Sequence, residues 1–124
     1  MIYMTKFIDA NIFIERWNNP RVRELIDNLR QEEYCTSVLV LTEVYHKLKK
    51  KNVKNAFEYV RNIMGVIKVY DIITDDLFNA IKSTLEININ DKIHIATMKR
   101  NGLSIIISYD TDFDRDKTIT REEP

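Results

Sequence analysis

The stretch LSIIISYDTDFDRD, residues 103–116, sets a continuous apolar run against aspartates at positions 110, 112, 114 and 116. Apolar residues that do not alternate with polar ones describe a strand covered on both faces, the kind found in parallel sheets flanked by helices. Ending such a strand in clustered carboxylates is costly unless a positive partner neutralises them. The identity of that partner is the question the rest of the sequence has to answer.

Upstream, short apolar runs alternate with longer helical patterns. YMTKFID (3–9) predicts a first strand that stops at Asp9, followed by a helix around residues 12–17. Pro20 fits the first turn of a second helix running to about Arg30. YCTS (34–37) predicts a brief strand, and Leu41, Val44, Tyr45 and Leu48 recur at helical spacing between Val38 and Lys50. A helix over 53–63 precedes the β-branched run VIKVYDII (66–73). Thr74 is positioned to cap the next helix, which carries acids in its first turn. A last helix, about 90–101, closes at Asn101-Gly102. Strands separated by helices predict a three-layer α/β/α sandwich around a mainly parallel sheet. With no repeat, low-complexity tract or Pro/Gly-rich linker, residues 1–124 are expected to form one domain.

Composition excludes several kinds of chemistry. Two glycines, Gly65 and Gly102, suffice neither for a dinucleotide fingerprint nor for a phosphate-binding P-loop. His46 and His94 match no zinc spacing, and Cys35 has no second thiol with which to share a metal or form a disulfide. No serine stands in a hydrolase elbow. One cysteine and an N-terminus without signal-peptide features predict a cytosolic protein, and no apolar run approaches a membrane span. Lys plus Arg equals Asp plus Glu at 19 each, so any nucleic-acid binding must be local.

Acids are the chemistry that remains. Ligands of open α/β sheets sit beyond the carboxyl ends of the strands, where Asp9 and Asp110 fall if their strands are neighbours. On a helical wheel Glu43 lies about 40° from Leu39 and about 60° from Val40, so it shares an apolar face. Asp91 opens a helix whose i+4 and i+7 positions, Ile95 and Met98, are apolar. Each acid also has a purely structural explanation: a strand end for Asp9, a dipole-favoured helix start for Asp91, and a buried ion pair with Lys47 for Glu43. Asp114 and Asp116 suit a solvated loop, and His46 and His94 suit a surface position and a packed or hydrogen-bonded one. Tyr3, Phe7, Phe13, Trp17, Tyr45, Phe57, Tyr59 and Phe78 are expected in core packing. Three or four inward carboxylates without Cys or His suit a hard divalent cation, Mg²⁺ or Mn²⁺, which would be the missing positive partner.

FIDANIF (7–13), SVLVLTEVYHKL (37–48), NDKIHIATMKRNG (90–102) and IIISYDTDFD (105–114), in this order, resemble the PIN domain, in particular the small VapC-type toxin ribonucleases. The resemblance implies a metal-dependent endoribonuclease whose acidic quartet is Asp9, Glu43, Asp91 and Asp110, supported by Asn11 and Ser108. It implies one or two Mg²⁺ or Mn²⁺ ions on Asp9, Asp91 and Asp110, and leaves open whether Asp110 or Asp112 turns inward. It further implies a homodimer and a small antitoxin. RNA reaching an acidic pocket needs a basic rim, for which Lys47, Lys50, Lys51, Lys54, Lys92 and Arg100 are candidates. The alternatives are a PIN nuclease of RNA processing without an antitoxin, or a scaffold that binds RNA or protein without cleaving. A haloacid-dehalogenase-like phosphatase expects Asp where Asn11 stands. A phosphate-accepting receiver domain expects a Lys where Ser108-Tyr109-Asp110 stand.

Overall fold

The computed structural model describes residues 4–124. Five strands form one sheet in the order β3-β2-β1-β4-β5, with every neighbouring pair parallel. They are β1 (Lys6–Ile8), β2 (Tyr34–Ser37), β3 (Lys68–Tyr70), β4 (Ile105–Ile107) and β5 (Thr120–Glu122). The helices are α1 (Ala10–Ile14), α2 (Pro20–Asp27), α3 (Val38–Lys50), α4 (Ala56–Val66), α5 (Thr74–Lys82) and α6 (Ile89–Arg100). A 3-10 turn extends α1 over Glu15–Trp17, and another spans Thr111–Arg115.

The chain moves outward from β1 through β2 to β3, then returns to lay β4 on the other side of β1. Right-handed crossovers place α1 to α4 on one face of such a sheet and α5 and α6 on the opposite face, giving the expected three layers. The reversal between β1 and β4 makes their carboxyl ends the switch point at which open sheets hold ligands. Register fixes that junction, with Phe7 opposite Ile106 and Ile8 opposite Ile107. These four side chains are buried, and each such burial contributes about 1.5–3 kcal/mol.

Several predicted boundaries shift for identifiable reasons. Asn28 ends α2 early, its Nδ2 donating to the Glu24 carbonyl. Residues 51–55 form a turn with Asn52 at φ 57°, so α4 begins at Ala56 and runs to Val66, taking the start of the VIKVYDII run. Thr74 does not cap α5. Ile73 occupies the cap position, and the Asp76 carboxylate reaches back to accept its N–H at 3.0 Å. Gly102, at φ 70°, provides the left-handed residue that ends α6. Strand β5 had no signal in the sequence: it is three polar residues on the sheet edge, where charge is expected, and Glu122 pairs there with Lys6 at 2.8 Å.

The aromatic expectation holds only in part. Phe7 and Phe13 are buried and Tyr59 packs on the core, but Trp17, Tyr45, Phe57 and Phe78 are exposed, Phe78 to 61%. Cations or rings cover some of their faces instead: Trp17 tilts against Tyr59, Arg61 lies over Phe57, and Lys82 lies over Phe78. Tyr3 lies outside the described residues. Among the described residues no helix is long and apolar enough to cross a membrane.

Candidate functional site

Asp9 follows β1 directly and caps α1, so its extended backbone turns the carboxylate back over the strand end. Oδ1 accepts from the Ala10 N–H at 2.8 Å, and Oδ2 accepts from the Ser108 hydroxyl at 2.7 Å. Ser108, just past β4, ties the two strand ends together. Its Oγ also accepts from Asn11 Nδ2 and from the Asp110 N–H, while Asn11 Oδ1 accepts from the Tyr109 N–H. Asp110 caps the following 3-10 turn, its Oδ1 accepting from the Asp112 N–H at 2.9 Å.

Two helices bring the remaining acids. Ser37 ends β2 and caps α3, its Oγ accepting from the Val40 N–H; this sets Glu43 in the second turn of α3. Asn88 caps α6. Its Oδ1 accepts from the Asp91 N–H and its Nδ2 donates to Asp91 Oδ2, at 2.9 and 2.8 Å. His94, one turn beyond Asp91 on the same face, is fully buried and lies 2.9 Å from Glu43 Oε1 and 3.9 Å from Asp9 Oδ1. Glu43 Oε2 accepts from Asn90 Nδ2. The structural alternative of a Glu43–Lys47 ion pair is thus replaced by His94 and Asn90.

The ligand atoms fall into two groups, each within 4.8 Å: Asp9, Glu43 and His94, and Asp91, Asp110 and Asp112. Asp110 and Asp112 therefore share one group. Burial and the charges of Asp9 and Asp110 push the Asp91 carboxyl up to about 7, with His94 opposing. Burial likewise raises Asp9. Burial would also raise Glu43, but the hydrogen bonds and charge of His94 and Asn90 bring it below its ordinary value. His94 is lifted reciprocally by Glu43 and Asp9 against its burial. Its Nδ1 is the one buried side-chain nitrogen or oxygen without a partner among the described residues.

His94 is packed and hydrogen-bonded, as expected; that its partners are the clustered acids had no signal in a single histidine with no spacing partner. Asp114 is exposed beside Arg121, as a solvated residue would be. Asp116 is not solvated: it is buried, pairs with Lys99 at 2.8 Å and accepts from Thr118. Of the candidate rim cations, Lys92 follows Asp91 and donates to the Ser83 carbonyl, while Lys47 lies one turn from Glu43. Lys50 and Lys51 close α3, about 10 Å or more along the helix axis from Glu43, and Lys54 lies in the turn that follows. Arg100 closes α6 and is engaged by Asp76 at 2.8 Å. Cys35 is buried and its thiol is pushed up to about 12, which leaves it inert.

A parallel sheet with helices on both faces and carboxylates gathered at its switch point define the class. The chain belongs to the PIN domain family, whose sequence profile matches residues 6–117. It is similar in fold to the DNA-bound VapBC of Salmonella typhimurium, at 21% identity and a TM-score of 0.75, covering 97% of this chain and 98% of that one. A toxin–antitoxin complex from Klebsiella pneumoniae matches at 18% identity and TM-score 0.74, over 94% and 96% of the two chains. A Mycobacterium tuberculosis VapC described as a sarcin-ricin-loop-cleaving toxin matches at 20% and 0.73, over 89% and 93%. A sequence search of curated proteins found no match.

Proposed function

We propose that the protein is a metal-dependent endoribonuclease that hydrolyses RNA phosphodiester bonds at this acidic site, as the toxin of a VapBC-type toxin–antitoxin pair. The observation that carries the reading is the convergence of Asp9, Glu43, Asp91, Asp110 and Asp112 on one rim, with His94 buried against Glu43. The donor set fits Mg²⁺ or Mn²⁺, since carboxylate oxygens dominate it, and the raised Asp91 carboxyl marks unbalanced negative charge that a cation would relieve.

Asp9, Asp91 and Asp110 would hold one or two ions, with Asp112 beside Asp110. Bound there, a divalent ion supplies Lewis-acid polarisation of the scissile phosphate and acidifies a bound water. The protein's own groups prepare the geometry. Ser108 and the Ala10 N–H fix both oxygens of Asp9, Asn11 fixes Ser108, and Asn88 fixes Asp91. Glu43, hydrogen-bonded by His94 and Asn90, would orient the attacking water. A second protomer and a small antitoxin belong to the same reading as partners; the similar structures include toxin–antitoxin complexes.

The test is cleavage of end-labelled single-stranded RNA with Mg²⁺ or Mn²⁺, with excess EDTA, and by Asp91→Asn purified in parallel. Cleavage confined to the metal-loaded wild type supports the reading. Identical products in EDTA or from Asp91→Asn would remove it.

A further inference from the structure

An open groove of about 850 Å³ runs between α5, α6 and the 3-10 turn that follows Asp110. Its walls carry six cations but only two acids, Asp75 and Asp116. Two of the cations are neutralised within the fold, Lys99 by Asp116 and Arg100 by Asp76. The other four, Lys82, Lys92, Arg115 and Lys117, have no carboxylate closer than the 3.9 Å between Arg115 and Asp112. Lys92, Arg115 and Lys117 donate instead to backbone carbonyls, of Ser83, Glu86 and Asp114, and Lys82 rests over the Phe78 ring. In a chain of zero net charge, this concentrates uncompensated positive charge in one channel.

At Arg115 the groove borders the clustered carboxylates. Arg115 lines it and also faces Asp112, one of the clustered carboxylates, and Lys92 is the residue next to Asp91. We infer that this groove carries the RNA backbone to those carboxylates, its phosphates lying against Lys82, Lys92, Arg115 and Lys117; the inference rests on the ribonuclease reading. An acidic peptide would satisfy the same cations, and either polyanion meets like charge at the carboxylates until a cation occupies them. With a divalent ion there, a phosphodiester chain has a group to be cleaved at the Arg115 end of the groove, which a peptide lacks. The floor between the cations is aliphatic, Leu85, Ile95 and Ala96, with no aromatic platform for base stacking. The groove therefore supplies affinity and alignment and carries no base-reading code.

The experiment measures binding of fluorescein-labelled oligouridine by anisotropy across a salt series, in an Asp91→Asn background that suppresses cleavage. The double variant Lys82→Gln/Lys117→Gln is compared with Arg21→Gln/Arg23→Gln, which removes equal charge from α2 on the opposite face of the sheet. The groove pair should weaken binding about tenfold and flatten the slope of log affinity against log salt by roughly 1.4, about 0.7 for each lost phosphate contact on a single strand. The α2 pair should do neither. With Asp91 restored, the groove variant should raise KM and leave kcat unchanged. Equal affinity and slope in both doubles, with cleavage intact, would overturn the groove alone. A parent that binds polyglutamate but no RNA would overturn both the groove and the ribonuclease reading.

Discussion

Asp91 sits at the N-terminal turn of α6, where the helix dipole favours a carboxylate, yet burial and the neighbouring acids raise it to about 7. Its ionised form is therefore under strain in the metal-free protein. Asp91→Asn keeps the oxygen that accepts from Asn88 and removes the repulsion, so at pH 7.5 in EDTA it should be more stable than the wild type by about 1 kcal/mol. A lower melting temperature than wild type would contradict that assignment. The opposite sign is expected at His94. Replacing it with Leu removes the hydrogen bond to Glu43, and urea unfolding should show a loss of about 1–3 kcal/mol; an unchanged midpoint would show that the pair contributes nothing. At this scale, the sequence was readable where backbone logic applied. Asp9 and Asp110 end strands, and Glu43 falls on an apolar helical face. His94 and Asp116 were not readable, because what defines each is a partner distant in the chain, Glu43 for one and Lys99 for the other.

Among the elements, α5 and α6 show how a local signal yields to a tertiary one. Thr74 is a good capping residue, but the buried Asp76 carboxylate serves the Ile73 N–H and the Arg100 guanidinium together. Burial would raise that carboxyl; the Arg100 hydrogen bond and charge hold it below its ordinary value instead. The depressed value means that the folded state releases the proton more readily than the unfolded state. The stabilisation is thus complete above the unfolded pKa of about 3.9 and is lost as pH falls through the folded value. Denaturation curves from neutral pH down to about pH 3 should show Asp76→Asn to be the less stable form, by about 2 kcal/mol near neutrality, with the gap closing toward the acid end. A gap that stayed constant with pH would exclude this linkage. Gly102→Ala should cost about 1 kcal/mol, because its φ of 70° disfavours a Cβ although no neighbour crowds the position; a neutral effect on unfolding would remove the backbone argument. The long helices and the apolar strands were legible from periodicity. β5 was not, since three polar residues on an edge carry no hydrophobic pattern.

At the scale of the molecule, topology does what no motif does alone. The reversal of direction between β1 and β4 places Asp9 and Ser108 within 2.7 Å across 99 residues of sequence. Helices from opposite faces of the sheet then add Glu43 and Asp91 to the same rim. The parallel α/β class followed from alternating strands and helices, but the strand order that creates the rim is a property of packing. The measurement that bears most directly on a cation at this rim is calorimetric titration of Mn²⁺ into the wild type, Glu43→Gln and Asp91→Asn, which needs no knowledge of the RNA. Binding to the wild type that is weakened in both variants is the expected result, because the two helix-borne carboxylates would then belong to one metal environment. Equal binding by all three folded proteins, or none by the wild type, would contradict it.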